Sequence, residues 1–212
     1  MNAVLPPRRA GPLRAGDVER SEIPHEGGHR AGRTAVAREF KTDTVFIIGS
    51  QAILMSWPEA PAVMRITPEI DAYPKNARAW EIEEARKGDA LEASEHIHGL
   101  FGEASQFHNT HGFYIDGVDE HTARLPRGWQ TRAVVRRFDV DSRVVEAVAP
   151  APEDLIVSKL ARLDEKDRSF VEAYHRVRPL DLQLIEKRIA ETDVDAAVAD
   201  RAIAYLRSLG AT

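Results

Sequence analysis

The stretch Val45-Phe46-Ile47-Ile48-Gly49-Ser50-Gln51-Ala52-Ile53-Leu54, followed by Arg65-Ile66-Thr67-Pro68-Glu69-Ile70-Asp71-Ala72-Tyr73-Pro74, decides how this chain reads. The first half is a run of strand-forming apolar residues that stops at Gly-Ser and passes into a helix-like Gln-Ala-Ile-Leu. The second half is a short extended segment with two carboxylates one residue apart. Side chains alternate faces along a strand, so Glu69 and Asp71 project together while Ile70 turns into the core. Two carboxylates held in that way suit Mg²⁺, which takes oxygen ligands and keeps phosphate and water as the others. Gly49-Ser50 offers a tight turn and a hydroxyl at a helix N-terminus, where N–H groups favour phosphate. Each half has a plainer reading: exposed strands often carry Glu-x-Asp, and Ser is a favoured helix N-cap. Their succession points to a metal-dependent nucleotide site.

Outward from this stretch, residues 1–32 contain Pro6, Pro7, Pro12 and Pro24, five glycines and scattered charge without apolar periodicity, and read as disordered. A short helix is expected over 33–42, a helix over 50–57, and an amphipathic helix from Trp80 to Leu91. Gly99, Gly102 and the polar run around His108–Gly112 read as a loop entering a strand at 112–115. Strands are expected over 131–138 and 144–148, antiparallel across the turn at Asp139–Ser142. From Pro152 onward the apolar spacing turns helical, with segments 153–163, 165–177, 181–191 and 194–208. The layout is an α/β (α+β) core over 33–150 followed by a C-terminal helical lobe over 151–212.

Composition narrows the function. The chain has 212 residues, 43% apolar and 30% charged, with a net charge of −5. That charge gives no general affinity for nucleic acid. The absence of cysteine excludes disulfides, thiolate metal sites and cysteine catalysis, and fits a cytoplasmic location. No apolar run approaches the ~20 residues that span a bilayer, so no membrane partner is expected.

Two further groups carry candidate chemistry. Leu155, Lys159 and Leu163 recur every four residues with Ile156 and Leu160 beside them, so Lys159 either snorkels past an apolar stripe or enters a polar site. Asp164-x-x-Asp167 fits a plain helix cap equally well. His96, His98, His108 and His111 raise a zinc site, but they lack both cysteine partners and helical i, i+4 spacing.

The stretches 46–54 and 69–74 resemble an uncharacterised family of bacterial nucleotidyltransferase-like proteins in the DNA polymerase β superfamily. Gly112–Val118 with Leu125–Trp129, and Pro152–Leu160 with Glu165–Phe170, are similar to the same family. The Glu-Asp-Leu, Ser-Lys-Leu and Lys-Asp pieces also resemble abortive-infection type IV nucleotidyltransferase toxins. The resemblance covers roughly residues 43–178. It implies a polymerase β-type core with a mixed sheet. It also implies Gly49 and Ser50 at the nucleotide phosphates, Glu69 and Asp71 on Mg²⁺ (or Mn²⁺), Lys159 on phosphate, and Asp167 completing the site. The implied activity moves a nucleoside monophosphate from a nucleoside triphosphate to a protein, RNA or small-molecule acceptor.

The chain departs from the superfamily pattern in having Glu69 where Asp is commoner, and 18 residues between Ser50 and Glu69. The third strand carboxylate lacks a diagnostic context, with Asp116, Asp139 and Glu146 available. That gap supports a rival reading, an inactive nucleotide-binding module that meets a protein partner such as a cognate antitoxin. A metal-dependent phosphodiesterase ranks third, since it would need more His and Asp ligands than these motifs supply.

Overall fold

The structure is a computed structural model, and it describes residues 26–210. A mixed five-stranded sheet organises it: β1 (Thr44–Ile48), β2 (Glu69–Pro74), β3 (Tyr114–Gly117), β4 (Val134–Val140) and β5 (Arg143–Ala149), in the order β3-β2-β1-β5-β4. β1 pairs antiparallel with β2 and parallel with β5; β2 pairs parallel with β3. β4 and β5 form the expected hairpin, with both turn residues, Asp141 and Ser142, at positive φ.

Strand alternation assigns the two faces. Val45, Ile47, Ile70, Ala72, Ile115, Val145, Ala147 and Ala149 are all buried on one face. Under it, α1 (Glu26–Glu39) and α3 (Ala93–Phe101) cover one end, with Val36, Phe40 and Ile97 in the cluster. The other end meets α5 (Pro152–Arg162), α6 (Glu165–Val177), α7 (Leu182–Ala190) and α8 (Ala196–Leu209), whose Leu155, Leu160, Phe170, Ile185 and Leu206 join Ile47 and Ala147 in one cluster. The helical lobe thus shares its core with the sheet. Asp154, fully buried in the first turn of α5, fastens the junction by accepting from Arg132 and Arg188. The opposite face carries Glu69, Asp71 and Asp116 beside a small cluster of Ile48, Tyr73 and Val118.

Several local expectations are corrected. The first helix begins at Glu26, so residues 26–32 are helical; the rest of the segment expected to be disordered lies outside the described residues. Residues 50–55 form a 3₁₀ helix, closed by i→i+3 bonds such as Ala52 N–H to Gly49 O. The amphipathic helix is α2 (Ala77–Lys87), has no buried residue, and leaves Leu91 outside and exposed. The loop expected before β3 contains α3 and α4 (Gln106–His111), the latter capped by the Ser105 hydroxyl accepting from His108 N–H.

Candidate nucleotidyltransferase site

Gly49 ends β1 with φ 69° and ψ −169°, a conformation open essentially only to glycine. A Cβ there would sit 1.7 Å from Asp71 Oδ2, so the turn and the carboxylate share space that no side chain could occupy. Ser50 follows, and its Oγ accepts from Lys159 Nζ at 2.9 Å. The expected α-helical N-terminus at Ser50 is only a six-residue 3₁₀ segment, so Ser50 contributes its hydroxyl more than a helix dipole.

The long connection to Glu69 is tied down by the residue after Ser50. Gln51 is fully buried, and its Nε2 donates to the carbonyls of Arg65 (3.2 Å) and Thr67 (2.6 Å). Ala60 and Met64 are buried between these anchors, so the extra residues fill core and leave the site intact. β2 then places Ile48 opposite Asp71, with Glu69 and Asp71 on one face.

The parallel register of β2 and β3 completes the acidic group. Glu69 lies opposite Tyr114 and Asp71 opposite Asp116, so all four share that face. Carboxylate oxygens of Glu69, Asp71 and Asp116 lie within 4.8 Å of one another. Tyr114 donates its hydroxyl to Glu69 Oε2 (3.1 Å), and His98 Nδ1 contacts Asp116 Oδ1 (3.2 Å). Burial and the adjoining Glu69 push the Asp71 carboxyl up to about 7, against partial relief from Lys159. A crowded, part-buried trio of oxygen donors is a set that hard cations such as Mg²⁺ or Mn²⁺ fit, since a divalent charge offsets the repulsion.

The opposite wall is basic. Lys159 is 5% exposed, which sets aside snorkelling: its ammonium is held among Ser50, Asp167 (3.3 Å) and the Phe170 ring. Burial pushes its pKa down. Leu163, in the left-handed conformation (φ 58°), reverses the chain from α5 into α6 and sets Lys159 and Arg162 against Asp167. Asp167 takes a two-pronged contact from Arg162 (2.6 and 2.7 Å) as well as Lys159, which together hold its carboxyl low despite burial. Both Asp167 oxygens are therefore engaged by these two basic partners. Asp164 caps α6 by accepting from Asp167 N–H, in keeping with the plain cap motif.

The two walls enclose a cleft of about 120 Å³ lined by Gly49, Ser50, Glu69, Asp71 and Lys159, with Arg124, Arg162 and Lys166 at its basic side. Asp139 and Glu146, the other candidates for a third carboxylate, lie on β4 and β5; Glu146 accepts from Arg137. The histidines weighed as zinc ligands are dispersed: His96 contacts Glu39, His98 contacts Asp116, and His108 accepts from Ala104 N–H. Among the described residues, the one cluster with metal-ligand spacing is the carboxylate trio.

Residues 34–207 match the family described as nucleotidyltransferase of unknown function (DUF6036), and the chain belongs to that family. The match carries no statement about abortive-infection toxins. No curated protein and no solved structure matches the chain. No helix among the described residues is long and apolar enough to cross a membrane.

Proposed function

We propose that this protein transfers a nucleoside monophosphate from a nucleoside triphosphate to an acceptor hydroxyl, with Mg²⁺ (or Mn²⁺) held by Glu69, Asp71 and Asp116. The observation that carries this reading is that Glu69 and Asp71, with Asp116 within 4.8 Å of them, face Ser50 and Lys159 across one cleft. The metal, when bound, neutralises phosphate charge and polarises the phosphorus under attack. Lys159, already dehydrated, exchanges its bond to Ser50 for a charge-assisted contact to a phosphate oxygen. Ser50 and the Gly49 backbone border the same space, and Arg162 and Lys166 supply positive charge at the far end.

The acceptor oxygen forms a bond to the α-phosphorus as the bond to the bridging oxygen breaks, and pyrophosphate leaves with the electron pair. The acceptor proton is released to solvent water, which leaves all three carboxylates ionised for the metal. Alignment and charge neutralisation account for the acceleration, as in other phosphoryl transfers. The inactive-module alternative rests on a missing third carboxylate, and Asp116 supplies a residue for that role.

The test is incubation with each α-labelled nucleoside triphosphate, Mg²⁺ and cell extract. Label on a macromolecule or small acceptor, lost in Asp71→Asn, supports the reading. No transfer from any of the four nucleotides, with no Mg²⁺-dependent nucleotide binding, would sink it.

A further inference from the structure

We infer that His98 is a positioning residue that holds Asp116 inside the acidic trio and so sets the affinity of the metal site. This rests on the proposed metal role of Glu69, Asp71 and Asp116. Three carboxylates within 4.8 Å repel one another, and Asp116, 38% exposed on edge strand β3, has room to turn outward. Its contact in the opposite direction is His98, which donates from Nδ1 to Asp116 Oδ1 at 3.2 Å, the tautomer that a carboxylate partner selects.

The surrounding backbone is shaped for this contact. His98 belongs to α3, which packs on the far side of β3 from Asp116, so its ring must reach around the sheet edge. That reach needs α3 to lie very close to the strand. Gly117, next to Asp116, permits it: a Cβ there would stand 2.0 Å from Ser94 O on α3. Gly102 ends the same helix, and a Cβ at that position would come within 2.3 Å of His98 O and 3.0 Å of His98 Nδ1. Two glycines at two separate points of the chain thus leave the space that the ring and its helix occupy. Partners that orient metal-binding side chains typically change metal affinity ten- to a hundredfold when removed.

The experiment is titration of the full chain with Mn²⁺ alone, following the free aquo-ion signal by electron paramagnetic resonance, with a thermal melt on every variant. Wild type should bind Mn²⁺, and His98→Ala should bind ten- to a hundredfold more weakly. His98→Asn places an amide N–H near the Nδ1 position and should restore affinity to within about threefold of wild type. His98→Gln carries its amide one carbon further out and should stay weak. This Asn/Gln comparison still decides the matter if His98→Ala fails to fold. Affinity within twofold of wild type in His98→Ala or His98→Gln, or His98→Asn as weak as His98→Gln, overturns the positioning role. Failure of wild type to bind Mn²⁺, or unchanged binding in Asp71→Asn, overturns the metal-site reading itself, and this inference falls with it.

Discussion

Replacing Asp71 by Asn should stabilise the metal-free protein at high pH and disable it at the same time. An ordinary aspartate titrates near 3.8, whereas burial and Glu69 push Asp71 up to about 7. Between those values the folded protein keeps a proton that the unfolded chain has lost, so folding stability falls as pH rises through that window and levels off above it. Every tenfold change in proton affinity between the folded and unfolded chains corresponds to about 1.4 kcal/mol. The gap between the two titration points therefore sets a cost on the order of 4 kcal/mol at pH 8 and clearly less at pH 5. Asn is uncharged at both and escapes this cost. The pull of Lys159 is already contained in where Asp71 titrates, so the gain should be larger at pH 8 than at pH 5 by on the order of 2–3 kcal/mol. Urea unfolding of wild type and Asp71→Asn at the two pH values, with chelator present, measures it. With Mg²⁺ and a nucleoside triphosphate the order should reverse, since ligand binding raises the stability of wild type alone. An equal stability difference at pH 5 and pH 8 would refute the argument that Asp71 is a destabilised, metal-awaiting carboxylate.

The other predictions address the basic wall and the frame of the site. Lys159→Met should leave the melt nearly unchanged, because Asp167 keeps both contacts to Arg162, while nucleotide affinity drops by roughly ten- to a hundredfold in calorimetry. Gly49→Ala forces a Cβ against Asp71 at a backbone angle alanine resists; a loss of about 3 kcal/mol in denaturant unfolding, with nucleotide binding abolished, is expected. Gln51→Ala strands the Arg65 and Thr67 carbonyls, at a cost of about 1–3 kcal/mol, and should speed tryptic cleavage after Arg65 in a limited-proteolysis time course. Nucleotide affinity should rise markedly on adding Mg²⁺; calorimetry giving equal affinity with and without the ion would count against the metal's role.

Much of the fold is legible in the sequence because local periodicity dictates it. The helices after Pro152 fall within two residues of their expected bounds, and α6 matches at both ends. The Val134–Ala149 hairpin and the Glu69–Asp71 strand likewise follow from alternation and turn chemistry. What the sequence hides depends on contacts distant along the chain. Asp116 sits one residue past the expected end of its strand, and only the β2–β3 register sets it opposite Asp71. Periodicity leaves Lys159 undecided, since an apolar stripe looks the same whether its lysine turns to water or to Ser50. The glycines and histidines of α3 and α4 have the composition of a loop, although buried Ile97 and the Phe101–Phe107–Phe113 ring contacts pin these helices to the core. For Asp167, motif resemblance points to a place in the site itself. It is buried against two basic side chains, Lys159 and Arg162, a contact that periodicity does not reveal.

The bond between Lys159 and Ser50 closes a loop of 109 positions in the chain. A growing polypeptide emerges from the ribosome with its carboxylates well before its lysine, and at roughly 5–20 residues per second several seconds pass between them. On the proposed function, the nascent chain during that interval has the acidic groups meant for the cation but lacks the ammonium meant for the triphosphate. On that proposal, competence arrives with the last quarter of the chain. A fragment ending before Pro152 would carry the acidic half of the cleft alone, so premature termination or cleavage at that junction leaves a product without the lysine wall.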